Sequence, residues 1–135
     1  MNGNTFDVKT TTYGHAAKVW RSVRHVFPAG GVIENVSDFV SAGKIPAGTP
    51  VKYYINNDGE KAIVAYKDSD ITGAQTLSTL GINGYLQEDA VITDSNTIAT
   101  GTVVYAGELY EHMFAAAVVT ALKGLTTVPQ IVWVV

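Results

Sequence analysis

Residues 51–66 read Val-Lys-Tyr-Tyr-Ile-Asn-Asn-Asp-Gly-Glu-Lys-Ala-Ile-Val-Ala-Tyr, and this stretch decides the fold that we expect. Residues 51–55 are aromatic and β-branched for the most part, a composition that favours strands. Residues 56–59 predict a tight turn, because Asn and Gly tolerate the positive φ angles of hairpin turns. Residues 62–66 are again apolar and return as the partner strand. The stretch therefore predicts a β-hairpin.

Short apolar runs separated by turn residues continue beyond this hairpin. They predict further strands at residues 84–86, 90–92, 101–105 and 130–135, with a turn at 94–96. Short strands with frequent turns are typical of a compact β-rich domain. The expected fold class is therefore mainly β, of the α+β kind once the segment described next is included.

One segment, residues 109–123, departs from this β pattern. Its apolar residues recur at helical spacing, and an alanine triplet at its centre favours a helix. Glu108 and Glu111 at its start and Lys123 at its end match the helix dipole. Gly124 is a suitable C-terminal cap. We therefore expect one α-helix near the carboxyl terminus.

The first 27 residues differ from the rest of the chain. Residues 1–18 are polar and threonine-rich, which indicates an arm or an edge strand. Residues 16–27 fit a helix and a strand equally well, because their apolar side chains satisfy both periodicities. We expect an N-terminal arm over residues 1–27 and a single β-rich domain over residues 28–135.

Composition excludes several classes of protein. The 135 residues are 47% hydrophobic and 16% charged, which suits one folded domain and argues against disorder. The absence of cysteine excludes disulfides, thiolate metal sites and thiol nucleophiles, and it fits synthesis in a reducing cytoplasm. A net charge of −3 does not suit a protein that binds nucleic acid electrostatically. The longest apolar run, residues 114–119, is far shorter than the roughly 20 residues of a membrane span.

The residue types that carry chemistry are scattered along the chain. His15, His25 and His112 lie in three different segments without metal-ligand spacing. Residues 68–70, Asp-Ser-Asp, resemble the opening of a calcium loop but lack its central glycine and late glutamate, so a solvated turn is the simpler interpretation. Phosphate-binding loops and nucleophile elbows are also missing. We expect no enzyme activity, no catalytic residue, no cofactor and no metal site.

A basic cluster beside a tryptophan is the clearest candidate for binding a partner. Trp20 lies among the four basic residues Lys18, Arg21, Arg24 and His25. Trp20 could anchor a docking surface for an acidic partner, or it could belong to the core beside solvated charges. The same two interpretations apply to Tyr13, Tyr53, Tyr54 and Tyr105.

Residues 44–55, Lys-Ile-Pro-Ala-Gly-Thr-Pro-Val-Lys-Tyr-Tyr-Ile, resemble the Ile-Pro-Ala-Gly turn of β-clip folds. From there on, the order of features resembles the head decoration (capsid cement) proteins of tailed phages, over about residues 28–135. The features in that order are Gly81-Ile82, Glu88-Asp89, the strand 103–109 ending in Gly-Glu-Leu, the helix end 121–124 and the terminal strand 129–133.

This resemblance implies a β-clip-like barrel or sandwich of short strands and a structural virion protein. Such proteins bind the outer surface of the capsid, often as trimers, and clamp neighbouring subunits. The implied partners are the major capsid protein, further copies in a homotrimer and, as a further candidate, a head fibre protein, without direct contact to nucleic acid or membrane. The implied location is the capsid exterior, after synthesis in the host cytoplasm. The capsid-contacting arm is expected over residues 5–27, with candidate contacts at Phe6, Tyr13, Trp20, Arg21 and Arg24.

Two alternatives stay open at this point. An adaptor at the base of a head fibre would share the structural role but occur in few copies. A small β-clip ligand-binding module or enzyme would require a pocket with convergent polar groups, and residues 60–100 show no concentrated signal of that kind.

Overall fold

The computed structural model describes residues 19–73 and 76–135. Strands dominate these residues, which confirms the mainly-β fold class. The strands are β1 Trp20–Val26, β2 Gly31–Ile33, β3 Lys44–Ile45, β4 Pro50–Ile55, β5 Lys61–Ala65, β6 Gly84–Leu86, β7 Ala90–Val91, β8 Thr100–Gly101, β9 Val103–Tyr110 and β10 Ile131–Val134. The helices are α1 Asp68–Gly73 and α2 Ala116–Lys123, with 3-10 turns at Val36–Phe39, Leu77–Leu80 and Glu111–Met113.

Eight strands form one sheet that curls into a half-barrel. Its order is β1-β9-β6-β4-β5-β2-β8, and β10 pairs with the end of β9. Pairing is antiparallel except between β2 and β5 and between β9 and β10. A separate pair is formed by β3 and β7. Within the part of the chain that the structure describes, no helix is long and apolar enough to cross a membrane.

The predicted hairpin is confirmed. Strands β4 and β5 pair in antiparallel register, with Tyr53 opposite Ile63. The side-chain oxygen of Asn56 accepts hydrogen bonds at 3.0 Å from the backbone N–H groups of Asp58 and Glu60, and Gly59 has a φ of +80°. The turn residues therefore act as the sequence predicts, by bonding to their own backbone and by adopting a left-handed conformation.

Two hydrophobic clusters fill the interior. The first, which we call the hairpin core, consists of Ile33, Val36, Phe39, Ile45, Val51, Ile63, Ala65, Leu86, Ala90, Ile92, Ala99 and Val103. The second, which we call the terminal core, consists of Ile71, Ile82, Tyr85, Val104, Leu109, Val118, Leu122, Val128 and Ile131. Trp20 and Trp133, which lie near opposite ends of the sequence, both pack against the terminal core.

The helix near the carboxyl terminus is confirmed, but its predicted start at residue 109 is wrong. Leu109 is part of β9, where it pairs with Trp20 on one side and Trp133 on the other. A 3-10 turn and the extended residue Ala115 then separate the strand from α2. Helical spacing alone assigns Leu109 to the helix, but its backbone pairs with the two neighbouring strands β1 and β10. The predicted C-terminal cap is confirmed, because the Gly124 N–H donates to carbonyl oxygens of the last helical turn.

The ambiguous segment 16–27 is a strand where the structure describes it. Strand β1 pairs antiparallel with β9, so this portion of the predicted arm is built into the sheet of the domain. Residues 1–18, and with them the candidate contacts Phe6 and Tyr13, lie outside the described residues. The Asp-Ser-Asp sequence at 68–70 is solvent-exposed as predicted, but it forms the first turn of α1 instead of an open turn. The Asp70 carboxylate accepts the Lys67 N–H there at 3.0 Å.

Candidate partner-binding surface

Strand β1 lies at one edge of the large sheet. Its inner edge pairs with β9, and no other strand of residues 19–73 and 76–135 pairs with its outer edge. Its register against β9 shifts at three places between Trp20 and Val26. A strand at a sheet edge presents unpaired backbone donors and acceptors, while bulges and charged side chains restrict which chains can pair with it. The outer edge of β1 can therefore pair with a further strand, but only with one that fits its bulges and charged side chains.

Trp20 holds this edge strand to the sheet. Its indole N–H donates a hydrogen bond of 3.1 Å to the backbone carbonyl of Leu86, and the half-buried ring packs against the terminal core. The ring also lies over Gly107, where an added Cβ would be 3.2 Å from the indole. This geometry favours the core interpretation of Trp20 that the sequence left open. The indole anchors β1 from inside the protein.

The two arginines of β1 extend into solvent. The Arg21 side chain is 55% exposed, and its Nε lies 3.8 Å from a Glu108 carboxylate oxygen. Ser22 donates a hydrogen bond of 3.1 Å to the same oxygen, so Glu108 is shared between two residues of β1. Arg24 is exposed and forms no ion pair with a described residue. Arg24 is therefore the cation on this edge with most freedom to meet a partner.

Four ring side chains form a row beside β1, which we call the aromatic row: His25, Tyr105, Phe27 and Tyr53. The His25 and Tyr105 rings stack with centroids 5.8 Å apart, and Phe27 lies 4.8 Å from Tyr105 and 4.6 Å from Tyr53. The Tyr53 hydroxyl donates to the Gly30 carbonyl at 3.2 Å, which fixes the end of the row. All four residues keep part of their surface in solvent. Rigid, partly exposed aromatic side chains are frequent anchors of protein interfaces.

The aromatic row could not be found from the sequence as a unit. Tyr53 and Tyr105 are each recognisable as strand aromatics, but strands β4 and β9 come together only because β6 pairs with both. His25 and Phe27 belong to the segment whose secondary structure was ambiguous. We call β1 together with the aromatic row the edge surface.

A broad groove of about 820 Å³ begins next to the edge surface. Phe27 lines it, together with the acidic residues Glu60, Glu88 and Asp89 and one lysine, Lys61. Several of these charges already have partners. Asp89 accepts the Ala47 N–H at 2.7 Å, and the Lys61 ammonium donates to the Pro28 carbonyl at 3.0 Å. The groove therefore carries charges of both signs, and two of them, Asp89 and Lys61, hydrogen-bond to the backbone of neighbouring loops.

A second polar cluster lies on the exposed side of the hairpin. The Tyr54 hydroxyl donates a hydrogen bond to the Glu34 carboxylate, and Asn56 donates to the other oxygen of the same carboxylate. The bond to Glu34 raises the pKa of Tyr54 above its usual value, with burial as a smaller cause. The Lys52 ammonium lies 4.6 Å from the centre of the Tyr54 ring. These contacts link the residue that follows β2 to β4, across the intervening strand β5, and they engage both oxygens of the Glu34 carboxylate.

The two histidines that the structure describes, His25 and His112, lie against different aromatic rings. His25 belongs to the aromatic row, His112 lies 5.4 Å from the Tyr110 ring, and His15 is outside the described residues. Among residues 19–73 and 76–135, no group of three or more His, Asp or Glu side chains could hold a metal ion. The edge surface is the feature of the described chain that is best suited to contact a macromolecule.

No protein-family model matches this sequence, and neither a curated protein nor a solved structure matches it. Functional inference for this chain therefore depends on its own residues and their geometry.

Proposed function

We propose that this protein is a structural virion protein that binds the outer surface of a tailed-phage capsid and stabilises the shell. The order of features over residues 28–135, which resembles that of head decoration proteins, supports the capsid as partner, and one structural observation supports attachment to another folded protein. The edge surface combines a strand edge without a described partner, two exposed arginines and a row of partly exposed rings. These are the elements that a protein needs in order to attach to another folded protein.

The free edge of β1 supplies the first part of the contact. An extended segment of a capsid subunit that adds to this edge would pair with backbone groups that have no partner among the described strands. The three register shifts of β1 would select a segment of matching shape, since a flat strand cannot follow them. Backbone pairing thus provides affinity, and the irregular register provides specificity.

The side chains of the edge surface supply the second part. Phe27, Tyr53 and Tyr105 offer apolar area that is already held in place by stacking, so little side-chain entropy is lost on binding. Arg21 and Arg24 add positive charge to a chain whose net charge is −3. A locally basic edge on an acidic protein favours one orientation towards an acidic partner surface.

The major capsid protein is the partner that we propose, and the capsid exterior is the location. We further propose that the protein acts as a homotrimer, because three linked contacts raise the total avidity without stronger individual contacts. A role as adaptor for a head fibre protein would use the same edge surface. The two roles differ in copy number, since decoration requires many copies per particle and an adaptor few.

The test compares two exposed cations on capsids that lack the protein. Arg24→Glu changes the edge surface, whereas Lys67→Glu makes the same charge change beyond β5, where the lysine is also exposed and has no ion pair with a described residue. We expect Arg24→Glu to weaken binding in a co-sedimentation assay by about tenfold or more, because a carboxylate would face an acidic partner. Lys67→Glu is expected to change binding less than about twofold. Equal effects of both substitutions would remove the edge surface from the contact.

Quantification of the bound protein separates the remaining possibilities. A number of bound chains comparable to the number of capsid subunits supports decoration, and a few chains per particle support an adaptor. Sedimentation equilibrium of the free protein tests the trimer. Failure of the unaltered protein to bind particles at any concentration would overturn the proposed function itself.

A further inference from the structure

A second groove, of about 680 Å³, borders both hydrophobic cores. Phe39 of the hairpin core lines it, and so does Phe114, which packs against the terminal core. Met113, which is 44% exposed, adds further apolar surface. We call this feature the junction groove. Exposed apolar surface in a groove is stabilised when another segment of polypeptide removes it from water.

Val19, the first described residue, forms part of the wall of the junction groove. Its carbonyl oxygen accepts the Tyr110 N–H at 3.0 Å, which holds its backbone against the end of β9. Its side chain lies against Gly48, where an added Cβ would be 2.6 Å from the valine Cγ1. The polypeptide therefore enters the described structure at a fixed point on the wall of the groove.

Strand pairing places this entry point beside the other walls of the groove. Because β1 and β9 are antiparallel, the start of β1 lies at the end of β9. The chain continues there into Met113, Phe114 and Ala115, which all line the junction groove. Residues 1–18, which lie outside the described residues and which we call the leading segment, are thus attached at the groove. A segment of this length spans up to about 60 Å when extended, so it can reach every part of the groove.

The charges of the groove and of the leading segment are complementary. Among the residues that line the groove, Lys44 and Asp89 form an ion pair at 3.4 Å. This pair leaves two carboxylates, Asp38 and Asp68, and one ammonium group, that of Lys67. The leading segment contains two lysines and one aspartate. An excess of negative charge on the groove would thus meet an excess of positive charge on the segment, which favours their contact.

We propose that the leading segment binds in the junction groove of its own chain, with Phe6 and Tyr13, its two aromatic residues, covering the apolar surface. These two residues then contact the protein itself, whereas the resemblance to decoration proteins assigns them to the capsid. The binding occurs in the free protein and is independent of capsid binding, since the groove shares no residue with the edge surface.

Attachment at Val19 lowers the affinity that this binding requires. A segment tethered beside its site has an effective concentration of about 1 mM. A dissociation constant of about 0.1 mM for the separate segment would therefore fill roughly nine tenths of the grooves. Burial of two aromatic side chains is sufficient for an affinity of this size.

The absence of cysteine allows a single nitroxide label to be placed on the full chain. Thr10→Cys carries the label between the two aromatic residues, and the methyl resonances of Ala42 and Met113, which line the groove, report its proximity by paramagnetic broadening. Val134 is the control, because it lies opposite the same residue of β9 as Val19 but does not line the groove. We expect strong broadening at Ala42 and Met113 and weak broadening at Val134. Equal broadening at all three would show that the segment has no preferred place and would overturn the proposal.

A pair of matched variants of the labelled chain tests the two aromatic residues. Phe6→Ser combined with Tyr13→Ser should weaken segment binding by about tenfold, so that occupancy of the groove and the broadening fall to roughly half. Thr5→Ser combined with Thr12→Ser makes small changes in the same segment and should leave the broadening as it is. The same broadening in both variants would contradict the role of the rings and overturn the proposal.

A mixed sample shows whether the groove belongs to the same chain. Isotope-labelled protein without nitroxide is combined with nitroxide-labelled protein that is not isotope-labelled. We expect no broadening at Ala42 or Met113, because each segment occupies its own groove. Broadening as strong as that within one chain would place the segment on a neighbouring copy and overturn the proposal.

Discussion

The hairpin core lies within residues 33–103, whereas the terminal core joins residues of that range to both ends of the described chain. The hairpin core is organised around β4 and β5, which are joined by one short turn. The terminal core depends on both ends of the described chain, because β1 and β10 flank β9 and bring Trp20 and Trp133 onto it. Tyr85 of the terminal core is fully buried, and its hydroxyl has no hydrogen-bond partner among the described residues. The edge strand β1 borders the same core through Trp20.

This difference indicates a division of labour within one domain. The hairpin core contains aliphatic residues and Phe39, with Tyr53 and Phe27 packed at its margin, and its buried side chains carry no polar atom. The terminal core is less complete, since it encloses a phenol whose hydroxyl has no hydrogen-bond partner among the described residues. Functional sites are often found where packing is imperfect, because a binding site must leave polar groups and space unfilled.

The largest expected effect comes from removing the same number of carbon atoms from each core. Ile63→Ala in the fully buried hairpin core should lower the free energy of unfolding by about 3–5 kcal/mol, by loss of transfer energy and creation of a cavity. Leu122→Ala should cost only about 2–3 kcal/mol, because Leu122 already lines a cavity of about 190 Å³ between the end of α2 and β10. Urea denaturation measures both values. A cost for Leu122→Ala equal to that of Ile63→Ala would contradict the difference between the cores.

The joint between β1 and the terminal core can be tested at Gly107. A Cβ there would lie 2.6 Å from the Ser22 carbonyl oxygen and push β1 away from β9. We expect Gly107→Ala to destabilise the protein by about 1–3 kcal/mol and to speed hydrogen exchange in β1 before the hairpin core. Gly73→Ala is the matched control, since an added Cβ meets none of the described residues within 4 Å. Uniform loss of protection in both cores would show that β1 is not a separate unit.

Local sequence patterns predict some elements of each core. The hairpin at 51–66 and the strands at 84–86 and 131–134 are local patterns of apolar and turn residues, and the structure has them close to the expected positions. The predicted start of the helix at residue 109 is wrong because Leu109 pairs with two strands from distant segments of the chain. Periodicity within one window contains no information on such partners.

For the edge surface, the sequence predicts which residue types are present but not how they are arranged. Arg21 and Arg24 stand out in the sequence and are exposed, whereas Trp20 stands out equally and is turned to the terminal core. The aromatic row depends on the pairing of β9, β6 and β4, which joins residues far apart in the chain. The Tyr85 hydroxyl carries no sequence signal, because a strand tyrosine usually finds a partner or reaches solvent.

Alkaline pH tests the burial of the Tyr85 phenol. Burial raises the pKa of Tyr85 in the folded state, whereas the unfolded chain ionises near 10.0. Above pH 10 the unfolded state therefore releases a proton that the folded state keeps, and stability falls by about 1.4 kcal/mol per pH unit until the folded pKa is reached. The contribution is fully present below pH 10.

Comparison with Tyr85→Phe isolates this contribution, since every other titrating group is common to both proteins. The unfolding free energies of the two proteins should run parallel from pH 7 to about 9.5, and the unaltered protein should lose stability faster from pH 10 to about 11.5. Tyr66, whose pKa burial and Asp70 also raise, affects both proteins equally. Parallel curves over the whole range would show that the phenol is accessible to water in the folded protein.

The smallest expected effect concerns the ion pair on the edge surface. Arg21 and Glu108 are 3.8 Å apart, and the arginine side chain is 55% exposed, so water screens the pair. Arg21→Ala, Glu108→Ala and the double variant should give a coupling energy below about 0.5 kcal/mol by urea denaturation. Arg21 is therefore free to change partners, because a cation that contributes little to folding can leave Glu108 when an acidic surface approaches. A coupling above about 1.5 kcal/mol would instead make Arg21 a structural clamp of β1 and leave Arg24 as the cation of the edge surface that binds a partner.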